Sequence, residues 1–402
     1  MTAMQKGRSP FYPGQPVPVE LFVGRAEQIN RIIERGVNQV KAGKPMAFFI
    51  QGEYGIGKSS IASFIQRAAE QDHGLHGINV ALGGRSDLNG VAEAILEATL
   101  KSGAFNPSRV EKITGWLAKY VGKQTFAGIT VNFEALKKDA PNISTPIGML
   151  DFLGSVRDHL KDDGIKGVFL VLDEINGIAS NPQFAHFIKS LWDTNAISRE
   201  PLPFLLMLCG VEERRMEMIG KHEPINRIFD VVDINALTKS EVEEFFQKTF
   251  QSVQIQIESG AMGLLIEHSS GMPKIMHEIG DAAFWTDTDG VIDRLDTFSA
   301  LKVAAEAIGK KYVDQQVYNA IKSKDYHSIL NKIAEITSFV SVTFKKTDVL
   351  STLTETEKGK FNNFLTKMRE LNVIKPGGNR GEYMFTVRMV HLYILMQSQK
   401  KK

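Results

Sequence analysis

Residues 46–60 read Met-Ala-Phe-Phe-Ile-Gln-Gly-Glu-Tyr-Gly-Ile-Gly-Lys-Ser-Ser, an apolar strand that runs into G-x-x-x-x-G-K-S. That spacing marks a phosphate-binding loop over Gly52–Ser59. Gly52, Gly55 and Gly57 let the backbone curl, so that the N–H groups of Glu53, Tyr54, Ile56 and their neighbours point inward at phosphate oxygens. Lys58 has the reach for β- and γ-phosphates, and the Ser59 hydroxyl suits Mg²⁺. A helix opening at Lys58 adds its dipole and its first amides, Ser59 and Ser60 among them, to the anion site. A plain glycine turn between strand and helix leaves the lysine, the serine and the strand unexplained.

A second apolar run, Gly167-Val-Phe-Leu-Val-Leu-Asp173-Glu174, ends in two carboxylates. Continuous runs of this kind suit a parallel strand buried on both faces, with its C-terminal end at the ligand crevice. Asp173 there binds Mg²⁺, directly or through water, and Glu174 polarises a water for attack on the γ-phosphate. An Asp-Glu pair also starts ordinary surface turns. The phosphate loop tips the balance toward a hydrolase.

Length and composition agree with this reading. A chain of 402 residues with 43% hydrophobic content makes two or three domains with real cores. The apolar stretches are far shorter than a membrane span, and the N-terminus has no apolar signal core. A single cysteine, Cys209, excludes an internal disulfide framework and a Cys-based zinc site, and the nine histidines show no metal-ligand spacing. The expectation is a cytoplasmic protein with no membrane partner. Charge is uneven: residues 320–402 hold fifteen Lys/Arg against seven Asp/Glu, a net +8, while the rest carries −6. A basic end of this kind suits nucleic acid or acidic protein, or is simply solvated.

Upstream, Ser9-Pro-Phe-Tyr-Pro-Gly-Gln-Pro reads as an extended segment lying across the surface of the first domain. Phe22-Val-Gly-Arg-Ala-Glu27 follows, then a helix with Ile29, Ile32, Ile33 and Val40 on one face. This F-V-G-R-x-x-E segment, with the phosphate loop and the hydrophobic-Asp-Glu strand, resembles the AAA+ and STAND ATPases. The resemblance points to the clade of archaeal and bacterial ATPases related to replication initiators. It implies that Val23, Gly24 and Arg25 flank an adenine ring, and hence ATP rather than GTP.

Between the two motifs, residues 78–82 read as a second core strand, 89–100 and 106–121 as helices, and 146–160 as the helix before the Asp173 strand. The alternation of Phe126, Ile129, Val131 and Phe133 suggests a hairpin insertion at about 124–138. Beyond Glu174, 184–192 reads as a helix and Leu202–Leu208 as a buried strand. The family carries a polar sensor at the end of this strand, and Cys209-Gly210-Val211-Glu212 does not match it.

Asn226-Arg227-Ile228-Phe229, before a strand at 231–234, is similar to the family's arginine-finger segment. It implies Arg227 as a catalytic contact to a neighbouring subunit's nucleotide, with Arg214 and Arg215 as weaker candidates, and hence self-association. Residues 238–320 read as helices throughout, opened by a capping pattern at Ser240-x-x-Glu243. Ser270-Gly-Met-Pro-Lys274 resembles the lid motif G-x-P-[RK], which implies that Lys274 reports bound ATP. Lysine makes a less specific phosphate contact than the commoner arginine.

The C-terminal part has the layout of a winged helix: helices at 326–336, 346–352 and 357–371, then a wing from Val373 to Val387. Lys360 and Lys367 on the third helix, with Lys375, Arg380 and the terminal lysines, are candidate contacts to duplex DNA. A protein partner is the competing reading.

The expectation is therefore a three-layer α/β P-loop core of AAA+ type at 21–236, preceded by an extended segment at 1–20. A helical lid at 237–320, a winged helix at 321–397 and a basic tail at 398–402 complete it. It is read as a Mg²⁺-dependent ATPase with Lys58, Glu174 and Arg227 as catalytic residues and Ser59 and Asp173 as metal ligands. The switch it drives acts on DNA, or alternatively on a protein in STAND-like signalling or defence. An ATP-binding scaffold with negligible turnover is the blandest version.

Overall fold

The computed structural model describes residues 6–15, 18, 21–102, 107–121, 142–337 and 341–400. The hairpin expected at 124–138 and the last two lysines lie outside the described residues. The chain divides into two compact units, Gly24–Asn235 and Met1–Val23 with Ala236–Lys402.

The first unit is built on five parallel strands: β1 (Met46–Gln51), β2 (Leu75–Ala81), β3 (Gly167–Asp173), β4 (Phe204–Gly210) and β5 (Asp230–Asp233). Their order is β2-β3-β4-β1-β5. Every residue of β3 and β4 is buried, which is why these strands read as unbroken apolar runs rather than alternating ones. One face, with Ala47, Phe49, Ile78, Leu170 and Leu206, shares a core with the helices Leu88–Lys101, Pro146–His159 and Pro182–Ala196. On the other face the helical turn at Gly36 sits directly on Phe48 and Leu205. Asp87, Thr145 and Asn181 cap the three helices of the first face, each accepting a backbone N–H. Strand limits differ from expectation chiefly in β2 and β4. β2 starts at Leu75, because His76 and Gly77 continue the pairing with β3, and β4 runs on through Cys209 to Gly210.

In the second unit, four helices (Lys239–Gln251, Ser259–Ser269, Pro273–Thr286 and Arg294–Ile308) lead into π-helical turns over Gly309–Tyr318. This region is not helical throughout: β6 (Gln256–Ile257) and β7 (Val291–Ile292) pair in parallel. Two-residue strands carry no periodicity to read. The capping box lies at Thr238 and Glu241, not at Ser240 and Glu243. Both pairs fit the pattern, and the backbone bond from Leu237 N–H to Gly271 carbonyl fixes the earlier start.

The N-terminal segment, expected on the first domain, packs within the second unit. Phe11 is buried among Phe245, Phe246, Phe250 and His277, and Gly280 opposite leaves no room for a Cβ beside its ring. The Tyr12 N–H donates to His277 Nδ1 at 3.2 Å, and Lys6 pairs with buried Asp287 at 3.0 Å. Burial of a phenylalanine ring outweighs solvation of an extended proline-rich strap.

The same unit continues with Lys324–Ile336, β8 (Thr343–Lys345), Lys346–Thr352 and Glu355–Glu370. Then come β9 (Ile374–Pro376), β10 (Glu382–Phe385) and Arg388–Lys400. The three strands form an antiparallel sheet in the order β8-β10-β9. Phe361, Phe364, Leu365 and Met368 of the sixteen-residue helix are buried, and they share one hydrophobic core with the helices before them.

Candidate nucleotide site

β1 ends at Gln51 and the loop follows at once. Gly52 packs so closely on the Ile234 carbonyl that a Cβ would lie 2.5 Å from the oxygen. Gly57 takes φ 96°, the left-handed region that side chains avoid, and opens the helix Lys58–Asp72. No side chain caps that helix, so its first amides remain for an anion. The Lys58 ammonium lies over the loop, donating to the carbonyls of Gly52 at 2.9 Å and Glu53 at 2.8 Å. Burial lowers its pKa, opposed by Cys209 and Asp173 nearby. Ile56 is buried beneath the loop, while Glu53, Tyr54 and Ser59 are exposed.

Arg25 adds a contact that the sequence did not foretell. Its backbone is left-handed (φ 61°) at the start of the helix Ala26–Ile32, and the side chain is buried. The guanidinium donates to the loop carbonyls of Ile56 and, at 3.3 Å, Gly57. Arg25 thus ties the start of its helix to the phosphate loop through two successive carbonyls. Gly24 precedes it at φ 71°. Val23 is packed into the core of the other unit. A lone arginine in a turn has no periodicity, so its target was invisible in sequence.

β4 lies between β1 and β3, so the loop and Asp173 flank the end of that strand. Asp173 is 8% exposed, and one carboxylate oxygen accepts the Glu174 N–H at 2.8 Å. Glu174 adopts φ 55°, ψ 48°, a left-handed conformation costing a non-glycine residue roughly 1–2 kcal/mol. That turn brings its side chain out of the buried strand into an exposed position. Cys209, level with Ile50 of β1, is fully buried, and burial, reinforced by Asp173, pushes its thiol well up; a neutral thiol stands where a polar sensor was sought.

The residues fit Mg²⁺. Ser59 and Asp173 offer hard oxygen donors, and Mg²⁺ takes one or two protein ligands and completes its shell with water and phosphate. The described residues contain no cluster of three or more His, Cys, Asp or Glu that could hold a metal ion.

Arg227 ends a short 3₁₀ turn, Glu223–Arg227, and is exposed. The weaker candidates are engaged within the chain: Arg214 pairs with Glu217 at 2.7 Å, and Arg215 bonds Gln51 and Asn226. Lys274 occupies the first turn of the helix Pro273–Thr286, its ammonium 3.3 Å from the centroid of the Tyr312 ring. Burial lowers its pKa to about 8.

Three of the candidate DNA contacts are held in ion pairs within the chain, one of them Lys400 with Glu306 at 2.7 Å. Lys360 pairs with Asp325, and Lys367 with Glu370 at 3.2 Å. Lys375 and Arg380 are exposed and have no carboxylate partner among the described residues. No helix among the described residues is long and apolar enough to cross a membrane.

Comparison with known proteins places this geometry. Residues 25–268 match the KAP family P-loop domain. Among solved structures, the fold is similar to the Aeropyrum pernix ORC2 protein in its ADPNP–ADP complexes, with a TM-score of 0.62 and 14% identity over 98% of this chain and 97% of that one. It is also similar to a Walker-type ATPase of Pyrococcus abyssi, with a TM-score of 0.59 and 15% identity over 93% and 96%. No curated protein matches the chain significantly. At such identities the likeness is one of fold.

Proposed function

This chain belongs to the KAP family of P-loop NTPases, and we propose that it is a Mg²⁺-dependent ATPase whose turnover drives a conformational or assembly switch. The observation that carries hydrolysis is Glu174, turned outward by its left-handed backbone one residue beyond Asp173. In this reading the loop amides and Lys58 bind the phosphates, and Arg25 ties the loop to its own helix. Ser59 and Asp173 hold Mg²⁺, which supplies charge neutralisation on the phosphates when bound. Glu174 accepts the proton of the attacking water, and Arg227, offered by a second copy, offsets charge on the transferring group.

We read 237–320 as a lid with Lys274 as its nucleotide-responsive cation, and 321–397 as a winged helix. Lys274 supplies a pH test. With a pKa of about 8, its ammonium is charged below that pH and lost above it, so nucleotide affinity falls as pH rises from 7 to 9. Lys274→Arg, which stays charged throughout, flattens the profile. A wild-type affinity that ignores pH over this interval removes Lys274 from the site.

Acting on duplex DNA is the first reading of the switch, supported by the net +8 of residues 320–402. The ion pairs of Lys360 and Lys367 favour the second, a protein-binding winged helix of STAND type. Steady-state ATP hydrolysis against protein concentration, with and without duplex DNA, separates them. Stimulation by DNA, with a log–log salt slope of binding that drops by about 1 in Arg380→Ala, supports the first. Indifference to DNA with superlinear dependence on protein concentration supports the second.

A further inference from the structure

We propose that Gln51, Arg215 and Asn226 form a relay through which the phosphate loop sets the position of the turn carrying Arg227. The proposal rests on the reading of Arg227 given above. Gln51 is the last residue of β1, it is 6% exposed, and Gly52 follows it directly. Both ends of its amide are bonded. Nε2 donates to Asp233 Oδ1 at 2.7 Å, and Oε1 accepts from Arg215 Nε at 2.7 Å. A flipped amide would set its NH₂ against a guanidinium and its oxygen against a carboxylate, so the partners fix the orientation.

Asp233 is also the register partner of Gln51 on β5, and the next residue, Ile234, donates its N–H to the Gln51 carbonyl at 2.7 Å. Gly52 presses on the carbonyl of that same Ile234. A shift of the loop therefore moves either the end of β5 or Gln51, and both hold the same amide. Arg215 carries the shift onward, because its planar fork fixes two bonds together: Nε to Gln51 and Nη1 to Asn226 Oδ1 at 3.0 Å. Asn226 immediately precedes Arg227. The turn has one buried side chain, Ile225, so Arg215 is its second tether. Three hydrogen bonds thus lead from Asp233, the β5 partner of Gln51, to the residue before the exposed arginine. Arg215 is a positioning residue here.

The test uses the full chain with Arg215→Met, which keeps the stem and removes both bonds, and Gln51→Leu, which removes the relay from its other end. The first readout is hydrogen exchange over Glu223–Arg227 with and without a non-hydrolysable Mg·ATP analogue. The wild type changes its exchange on binding, and both variants lose that response while still binding the analogue. The second is turnover: Arg215→Met lowers the concentration-dependent rate by about 10²-fold, the cost of a displaced catalytic group. Arg215→Met with Arg227→Ala is then no slower than Arg227→Ala alone. Wild-type binding with no response in the turn, or a response retained in both variants, overturns the relay and leaves the ATPase reading standing. If Arg227→Ala costs nothing, the finger reading falls and the exchange measurement alone decides the relay. Absence of nucleotide binding by the wild type overturns both.

Discussion

Glu174→Gln lowers ATP turnover by about 10²–10⁴-fold, the usual contribution of a positioned general base, with ATP affinity held within a small factor. Glutamine keeps the shape and the backbone preference of the residue and loses only the ability to take a proton. The phosphate contacts in this reading come from the loop and Lys58, so binding stays nearly unchanged. Single-turnover hydrolysis beside equilibrium nucleotide titration measures the two effects separately. A variant that hydrolyses as fast as an active wild type removes Glu174 as the base, whereas a wild-type rate no higher than background sinks the hydrolase and makes the scaffold with negligible turnover the better account.

The backbone at Glu174 sharpens the test. Its φ of 55° suits glycine, so Glu174→Gly relieves strain of roughly 1–2 kcal/mol against the extra chain entropy that glycine loses on folding. Unfolding of Glu174→Gly therefore requires no less denaturant than that of Glu174→Gln, although both are inactive. Keeping a side chain where glycine is easier fits a need for the carboxylate.

What was legible in the chain follows from where the physics is local. The phosphate loop was readable because chemistry fixes four of its letters and the strand before it is buried on both faces, as is the strand that ends at Asp173. Long helices such as Pro146–His159 and Glu355–Glu370 matched their apolar periodicity and their starts within a residue or two. The failures share a cause. Phe11 looked like part of a surface strap because its partners, Phe245 and Phe250, lie more than two hundred residues away. Arg25 was placed beside the adenine ring by resemblance; its added contact with the loop carbonyls stayed hidden because it depends on how a left-handed turn aims one side chain. The ion pair of Lys360 was hidden for the same reason, since Asp325 reaches it only through tertiary packing, whereas Lys367–Glu370 is a local i,i+3 pair that the helical spacing itself allows.

Arg227→Ala lowers turnover by roughly 10³–10⁵-fold if its guanidinium meets the γ-phosphate of a neighbouring copy. The geometry within one chain favours this. Arg227 is exposed at the end of a short turn held by buried Ile225, while its neighbours Arg214 and Arg215 are committed to other partners. A charged side chain presented from a tethered turn is ready for a partner without first losing much freedom. Mixing the two inactive variants decides whether the contact crosses between copies. Arg227→Ala retains Glu174 but lacks the arginine, and Glu174→Gln retains the arginine but lacks the base. In a mixed assembly, the intact base of one copy faces the intact arginine of the other, and hydrolysis returns. A mixture as inactive as its components, from a protein whose separate variants are both dead, places Arg227 in its own chain's site. A variant within about tenfold of wild type makes it a surface arginine, far below the 10³ that a finger supplies.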